Sequence, residues 1–213
     1  MKLVCISDTH MSTPDLPEGD ILIHAGDATF RGTIDEVSKF AEYIKTQKHK
    51  FDKIIFVPGN HDFLFETNES LARSILQDCT VLINESYEYK GIKFWGSPIC
   101  PPFGNWAFYK EELDRVMLWN TIPDDTDILI THGPPKYMLD QVPTQIDDII
   151  KHCGCEKLLE KVKDLQPKYH IFGHIHEGYG FTRYGSTTFL NACIMDEGYK
   201  PKNQPWCFNY RED

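Results

Sequence analysis

Five times along the chain a short, largely apolar run stops abruptly at a motif built from Asp, Asn, His or Gly. The runs occupy residues 3–6, 21–23, 54–57, 128–130 and 169–172. Runs this short and this rich in branched side chains suit strands buried on both faces. Helical patterns separate several of them. Residues 33–48 carry Ile34, Val37, Ala41 and Ile44 at helical spacing, and Thr33 with Glu36 fits a capping box. Residues 111–119 and 156–165 repeat the helical spacing, the second through Leu158, Leu159, Val162 and Leu165. Turn signals at Lys90-Gly91 and Gly185-Ser186 predict two hairpins. The pattern predicts one domain over residues 1–213, mixed α/β, with two packed mixed β-sheets flanked by helices. In open α/β sheets ligands bind beyond the carboxyl ends of the strands, and all five motifs fall there.

Composition narrows the partners. A formal net charge of −10 over 213 residues argues against an extended nucleic-acid surface. It leaves room for a small phosphate-bearing substrate, because bound divalent ions reverse the local field. No apolar run is long enough to cross a bilayer, so no membrane is expected. The seven cysteines show no pairing rhythm, and no secretory signal opens the chain. Reduced thiols and a cytoplasmic location are the resulting expectations.

The motifs are Asp8-Thr9-His10, Gly26-Asp27, Gly59-Asn60-His61-Asp62, Thr131-His132-Gly133 and Gly173-His174-Ile175-His176. Carboxylate oxygen and neutral imidazole nitrogen together suit borderline divalent metals such as Mn, Fe, Co or Zn. Residues two apart in an extended segment point the same way, so Asp8 and His10 can share one metal. His174 and His176 have the same spacing, yet side chains of that length also reach two neighbouring ions. Glycines 26, 59 and 173 allow backbone to pass close to a site. Any one of these motifs alone reads as a turn or a cap; five in this order, each after a strand, do not.

This series resembles the calcineurin-like metallophosphoesterase superfamily, whose signature is D-x-H, G-D, G-N-H-[DE], a later H, and G-H-x-H. Gly96-Ser97-Pro98, Asn105-Trp106-Ala107-Phe108, Thr131-His132-Gly133-Pro134-Pro135 and the segment from Gly173 to Gly180 are similar to the metallophosphoesterase-domain branch related to the fetal-brain protein 239. Asp62 departs from the Glu frequent there but keeps the carboxylate. Residues 145–155 match less well. The resemblance implies one ion held by Asp8, His10, Asp27 and His176, and a second by Asp27, Asn60, His132 and His174, with manganese favoured. It implies hydrolysis of a small phosphoester by a metal-bridging hydroxide, with His61 as general acid and Asp62 orienting the His61 ring. Arg31, four residues after Asp27, resembles the phosphate-gripping arginine of Ser/Thr phosphatases, although Phe30 stands where they carry Asp. Otherwise Arg31 is a solvated residue at a helix start.

The substrate expected from the resemblance is a phosphodiester such as a cyclic nucleotide. The alternatives are a phosphomonoesterase or protein phosphatase, and a catalytically silent protein-binding scaffold, which should have lost ligands that this chain retains. Four other histidines are set aside. His24 reads as a hydrogen-bonded supporting residue, His170 as packing, and His49 and His152 as surface residues in helix-like surroundings. Phe103, Trp106, Phe108 and Tyr109 read as a satellite core, with base stacking as the rival.

Overall fold

A computed structural model describes residues 1–144 and 149–210. In chain order the strands are β1 (Lys2–Ile6), β2 (Ile21–His24), β3 (Lys53–Phe56), β4 (Thr80–Val81), β5 (Glu85–Tyr89), β6 (Ile92–Ser97) and β7 (Ile128–Thr131). They continue with β8 (Gln141–Pro143), β9 (Ile150–His152), β10 (Tyr169–Phe172), β11 (Gly180–Tyr184), β12 (Thr187–Asn191) and β13 (Trp206–Asn209). The helices are α1 (Ile34–Gln47), α2 (Phe63–Thr67), α3 (Glu69–Ile75), α4 (Glu112–Trp119) and α5 (Glu156–Leu165).

One sheet runs β13-β1-β2-β3-β4 and the other β11-β12-β10-β7-β6-β5. Their central strands are parallel, and antiparallel neighbours close three of the four edges: β13 on β1, β5 on β6 and β11 on β12. This is the two-sheet α/β sandwich expected from the sequence. All five apolar runs are strands, and both hairpins form. Lys90 and Gly91 take φ of 50° and 80°, the left-handed pair that a two-residue hairpin requires. The sequence reading did not anticipate β4, β8, β9, β13, α2 or α3. Among the described residues no helix is long and apolar enough to cross a membrane.

Alternation along the strands builds two cores. Leu3 and Cys5 of β1 and Ile21 and Ile23 of β2 face the second sheet, against Phe94, Ile128, Ile130 and Ile171. The intervening Val4, Ile6 and Leu22 face outward and meet Val37, Phe40 and Ile44 of α1. Both faces of each central strand are therefore dry, which is why these runs are largely apolar. Thr33 caps α1 reciprocally with Glu36, as its sequence predicts. Phe40 is 4% exposed and packs its ring 5.2 Å from both His24 and Phe56. Removing that ring leaves a void between helix and sheet. Phe40→Ala should cost about 3–5 kcal/mol, read as a lowered urea midpoint at unchanged slope.

Candidate metal centre

The two sheets are joined at the carboxyl ends of their strands. Ser7 forms a parallel bridge with Cys193, donating its N–H to the Ala192 carbonyl at 2.8 Å and accepting from Ile194 N–H at 2.9 Å. Asp8 follows immediately, so the first motif is delivered to the seam between sheets. Backbone hydrogen bonds then stitch the motif loops together. Asp8 N–H donates to the Gly26 carbonyl, His10 N–H to Asp27, and Gly173 N–H to His132. Side chains complete the stitching: His61 N–H donates to Asp27 Oδ1 at 2.8 Å, and His174 N–H to Asp8 Oδ2 at 3.0 Å.

This close approach dictates residue type. A Cβ on Gly173 would collide with the Asp8 carboxylate and the Ser7 side chain. Gly26, at φ 104°, leaves no room beside the His132 ring. Four of the motif residues are themselves left-handed: Asp8, His10, Asp27 and His174 have φ of 50°, 40°, 55° and 69°. Each such non-glycine residue costs on the order of 1 kcal/mol or more, so tertiary contacts must hold them.

All seven residues expected to bind metal converge. Asp8, His10 and His176 form one group, Asp27, His132 and His174 another, and His10, Asp27 and His61 a third; within each, ligand atoms lie within 4.8 Å of one another. Asn60 joins the second, its Oδ1 2.9 Å from His132 Nε2. Asp27 stands between them, with Oδ2 3.3 Å from His132 Nε2 and 3.9 Å from both His10 Nε2 and His61 Nε2. His176 Nε2 lies 3.5 Å from Asp8 Oδ1.

The far nitrogen is tied down in three of the four candidate ligand rings. His10 donates Nδ1–H to the Thr29 carbonyl, His132 to Ala25 and His176 to Asp196, at 3.1, 2.9 and 3.0 Å. These bonds fix the tautomer and aim Nε2 inward. The result is a set of converging ligand atoms: Asn60 Oδ1, Asp27 Oδ2 and His132 Nε2 share the His132 Nε2 proton in the metal-free protein and would face a cation once that proton is lost. His10 Nε2 is buried without a hydrogen-bond partner, as a ligand atom would be. The donor set therefore fits divalent ions of the borderline class.

Charge distribution follows the same geometry. Burial alone would raise the Asp8 carboxyl, but His176, His132 and His10 outweigh it and hold it well below the usual range. Asp27 is likewise held at about 2 by His132 against the cost of burial. His132 and His176 are raised to about 9 despite burial, because Asp27 and Asp8 favour their charged forms. Burial pushes His174 down to about 4 and lowers His10.

Asp62 departs from its expected role. Its carboxylate accepts from Gly59 N–H at 2.7 Å, Thr29 N–H at 3.0 Å, Thr29 Oγ1 at 2.7 Å and Ala28 N–H at 3.3 Å. No bond goes to the His61 ring, whose Nδ1–H donates instead to the Phe30 carbonyl at 2.8 Å. Asp62 latches the Asp27 loop to the Asn60 turn, while burial and Asp27 push its carboxyl up to about 6. Arg31 is not drawn into the cluster; its side chain is exposed and its backbone N–H is held by Glu36. His24 supports the loops as expected, bonding Thr9 Oγ1 and Gly26 N–H. His170 is packed between Phe172 and Phe189. His152 lies in strand β9, not a helix, and bonds buried Asp140 at 2.6 Å. The aromatic segment divides: Phe108 is core, Phe103 is exposed, and Trp106 stacks 4.1 Å from His61. Of residues 145–155, which match the branch less well, 145–148 lie outside the described residues.

Two contributors had no sequence signal. The Asp196 carbonyl anchors His176, and Tyr199 in the same turn lies 4.9 Å from both His10 and His176 rings. A backbone acceptor carries no residue preference; only the Asp-Glu-Gly-Tyr turn composition marked the segment.

A family model described as calcineurin-like phosphoesterase matches residues 1–178. The chain belongs to that family. Its relatives include Metallophosphoesterase domain-containing protein 1 of Homo sapiens, 36% identical over 96% of this chain and 69% of that protein. UPF0046 protein C25E10.12 of Caenorhabditis elegans is 37% identical over 98% of this chain and 80% of that protein. Among solved structures, phosphopantetheinyl hydrolase of Mycobacterium tuberculosis superimposes with a TM-score of 0.58 at 18% identity, covering 93% of this chain and 90% of that one. The last of these speaks for the fold alone. Membership in a calcineurin-like phosphoesterase family supports metal-dependent phosphoester hydrolysis and two divalent ions. Tyr199 and Asp196 lie beyond the matched span.

Metal uptake should release protons. His132 and His176, at about 9, are charged at neutral pH and must lose Nε2–H to coordinate. Affinity for manganese should therefore rise as pH climbs from 7 through 9. The stability these raised values lend the metal-free fold runs oppositely, complete below about 6.5 and lost through about 9. Calorimetric titration in buffers of differing ionisation enthalpy measures the released protons; a buffer-independent heat contradicts the charge assignment.

Proposed function

We propose that this chain is a phosphodiesterase for small substrates such as cyclic nucleotides, using two divalent ions, manganese favoured. The observation that carries the reading is Asp27, whose single carboxylate faces both imidazole groups within coordinating reach. Asp8, His10, Asp27 and His176 would hold one ion, and Asp27, Asn60, His132 and His174 the other. Such ions polarise phosphoryl oxygens and bring the pKa of water towards about 7.

The chain's own residues supply the rest. Phe30 fixes His61 through Nδ1, leaving Nε2 directed at the Asp27 side of the site. With protons on both nitrogens, His61 gives the Nε2 proton to the departing ester oxygen and keeps its anchor. Asp62 sustains this arrangement by positioning the loops, not by touching the ring. Arg31, exposed and without an ion pair among the described residues, is the side chain available to grip a phosphoryl oxygen.

A diester is favoured over a monoester by the mouth of the site. Phe30, Tyr199 and Trp106 edge it. Those aromatic faces offer an apolar surface to a second organic substituent, which a diester has and a phosphomonoester lacks. Seven free thiols accord with a reducing compartment, and we assign the chain to the cytoplasm.

His61→Ala should lower turnover about 10²–10⁴-fold while the purified protein retains its metal by plasma emission analysis. One specific observation favours a rival role: His61 Nε2 also falls within coordinating reach of His10 and Asp27. Loss of metal in the variant would make it a ligand. In added manganese, bis-p-nitrophenyl phosphate should be turned over faster than p-nitrophenyl phosphate; the reverse order means a phosphatase.

A further inference from the structure

The aromatic rings at the mouth are unevenly distributed. His10 carries Phe30 stacked at 5.2 Å and 24°, and Tyr199 at 4.9 Å. Tyr199 also covers His176 at 4.9 Å. Trp106 lies 4.1 Å from His61, which itself sits edge-on to His10 at 4.8 Å. By contrast, among the described residues the only ring contact of His132 or His174 is with each other, at 5.0 Å. An arc of aromatic side chains therefore borders the Asp8–His10 half of the centre and its proposed acid, and not the Asn60–His132 half.

Two of these rings contribute little to the core. Phe30 is 41% exposed and Tyr199 49% exposed, although a polar, buried cluster lies directly beneath them. Both are nonetheless held in place. Thr29, before Phe30, is fastened to Asp62, and the Phe30 carbonyl is bonded to His61. Tyr199 sits in a turn closed by its N–H to the Asp196 carbonyl at 2.9 Å and by Lys200 N–H to Asp196 Oδ1 at 3.0 Å. Exposed aromatic faces fixed at the mouth of a site are preorganised for stacking.

We propose that Phe30, Tyr199 and Trp106 form a subsite for a planar, uncharged ring on the departing alcohol of the substrate. The leaving side is specified because His61, which protonates that oxygen, belongs to the same arc. Phe30 and Tyr199 are thus specificity-determining residues. The inference rests on the phosphodiesterase reading for its orientation, but not for the existence of the subsite.

The test compares flat and puckered rings of equal carbon count. Benzyl(methyl)phosphinate and cyclohexylmethyl(methyl)phosphinate, monoanions with no P–O ester bond to cleave, are titrated calorimetrically into the manganese-loaded full chain. The benzyl compound should bind about fivefold tighter, as ring stacking predicts, although the cyclohexyl compound is the more apolar. Tyr199→Leu and Phe30→Leu should each erode this preference, whereas Tyr199→Phe keeps it. Equal affinities in the unaltered protein overturn the proposal. Turnover of methyl 2-phenylethyl phosphate is measured in parallel. Ring discrimination without diester turnover supports the subsite and overturns the phosphodiesterase reading; turnover without discrimination does the opposite.

Discussion

A carboxylate carried into a protein interior loses several kcal/mol of hydration unless positive charge or hydrogen bonds replace it. Asp27 is 2% exposed and Asp8 is fully buried, and they lie at the seam of two sheets rather than at an edge. Their compensation comes from imidazoles delivered just after other strands: His132 directly beyond β7 and His176 beyond β10. The electrostatic requirement of two aspartates therefore couples both sheets, and the loops at their carboxyl ends hold only as a set. Divalent ions meet the same requirement more strongly than protons, which makes the fold and its chemistry parts of one balance.

That balance explains how strained backbone is tolerated. Four left-handed non-glycine residues cluster in the motif loops, each disfavoured by its own Cβ. Asp62 helps to hold two of the loops in register by accepting from Gly59, Thr29 and Ala28 at once. Its neighbour His61 is thereby freed from a structural duty and given a defined ring orientation by Phe30. Adjacent residues in one motif do different work because the turn sends their side chains to opposite sides.

Much of this was legible in the sequence, for identifiable reasons. Doubly buried strands announce themselves as short apolar runs, and metal-type donors admit few substitutes, so Asp8, His10, Asp27, Asn60, His132, His174 and His176, which the fold brings together, could be picked out individually. What escaped had no residue-type signature. β13 reads as Trp-Cys-Phe-Asn, too short and too mixed to mark a strand, and β4 has two residues. The Asp196 carbonyl that anchors His176 belongs to a group every residue possesses. Asp62 was misjudged because proximity in sequence to His61 does not imply contact in a tight turn. Tyr199 was missed because its stacking depends on a turn that only the assembled sheets bring over His10.

The position of β13 bears on how firmly the centre is held. It pairs antiparallel with β1, joining Trp206–Asn209 to the first strand of the chain. The turn preceding it supplies the carbonyl that orients His176. A ligand ring at the seam is thus oriented from the rim of the first sheet, and whatever frays β13 away from β1 also loosens the turn that aims His176.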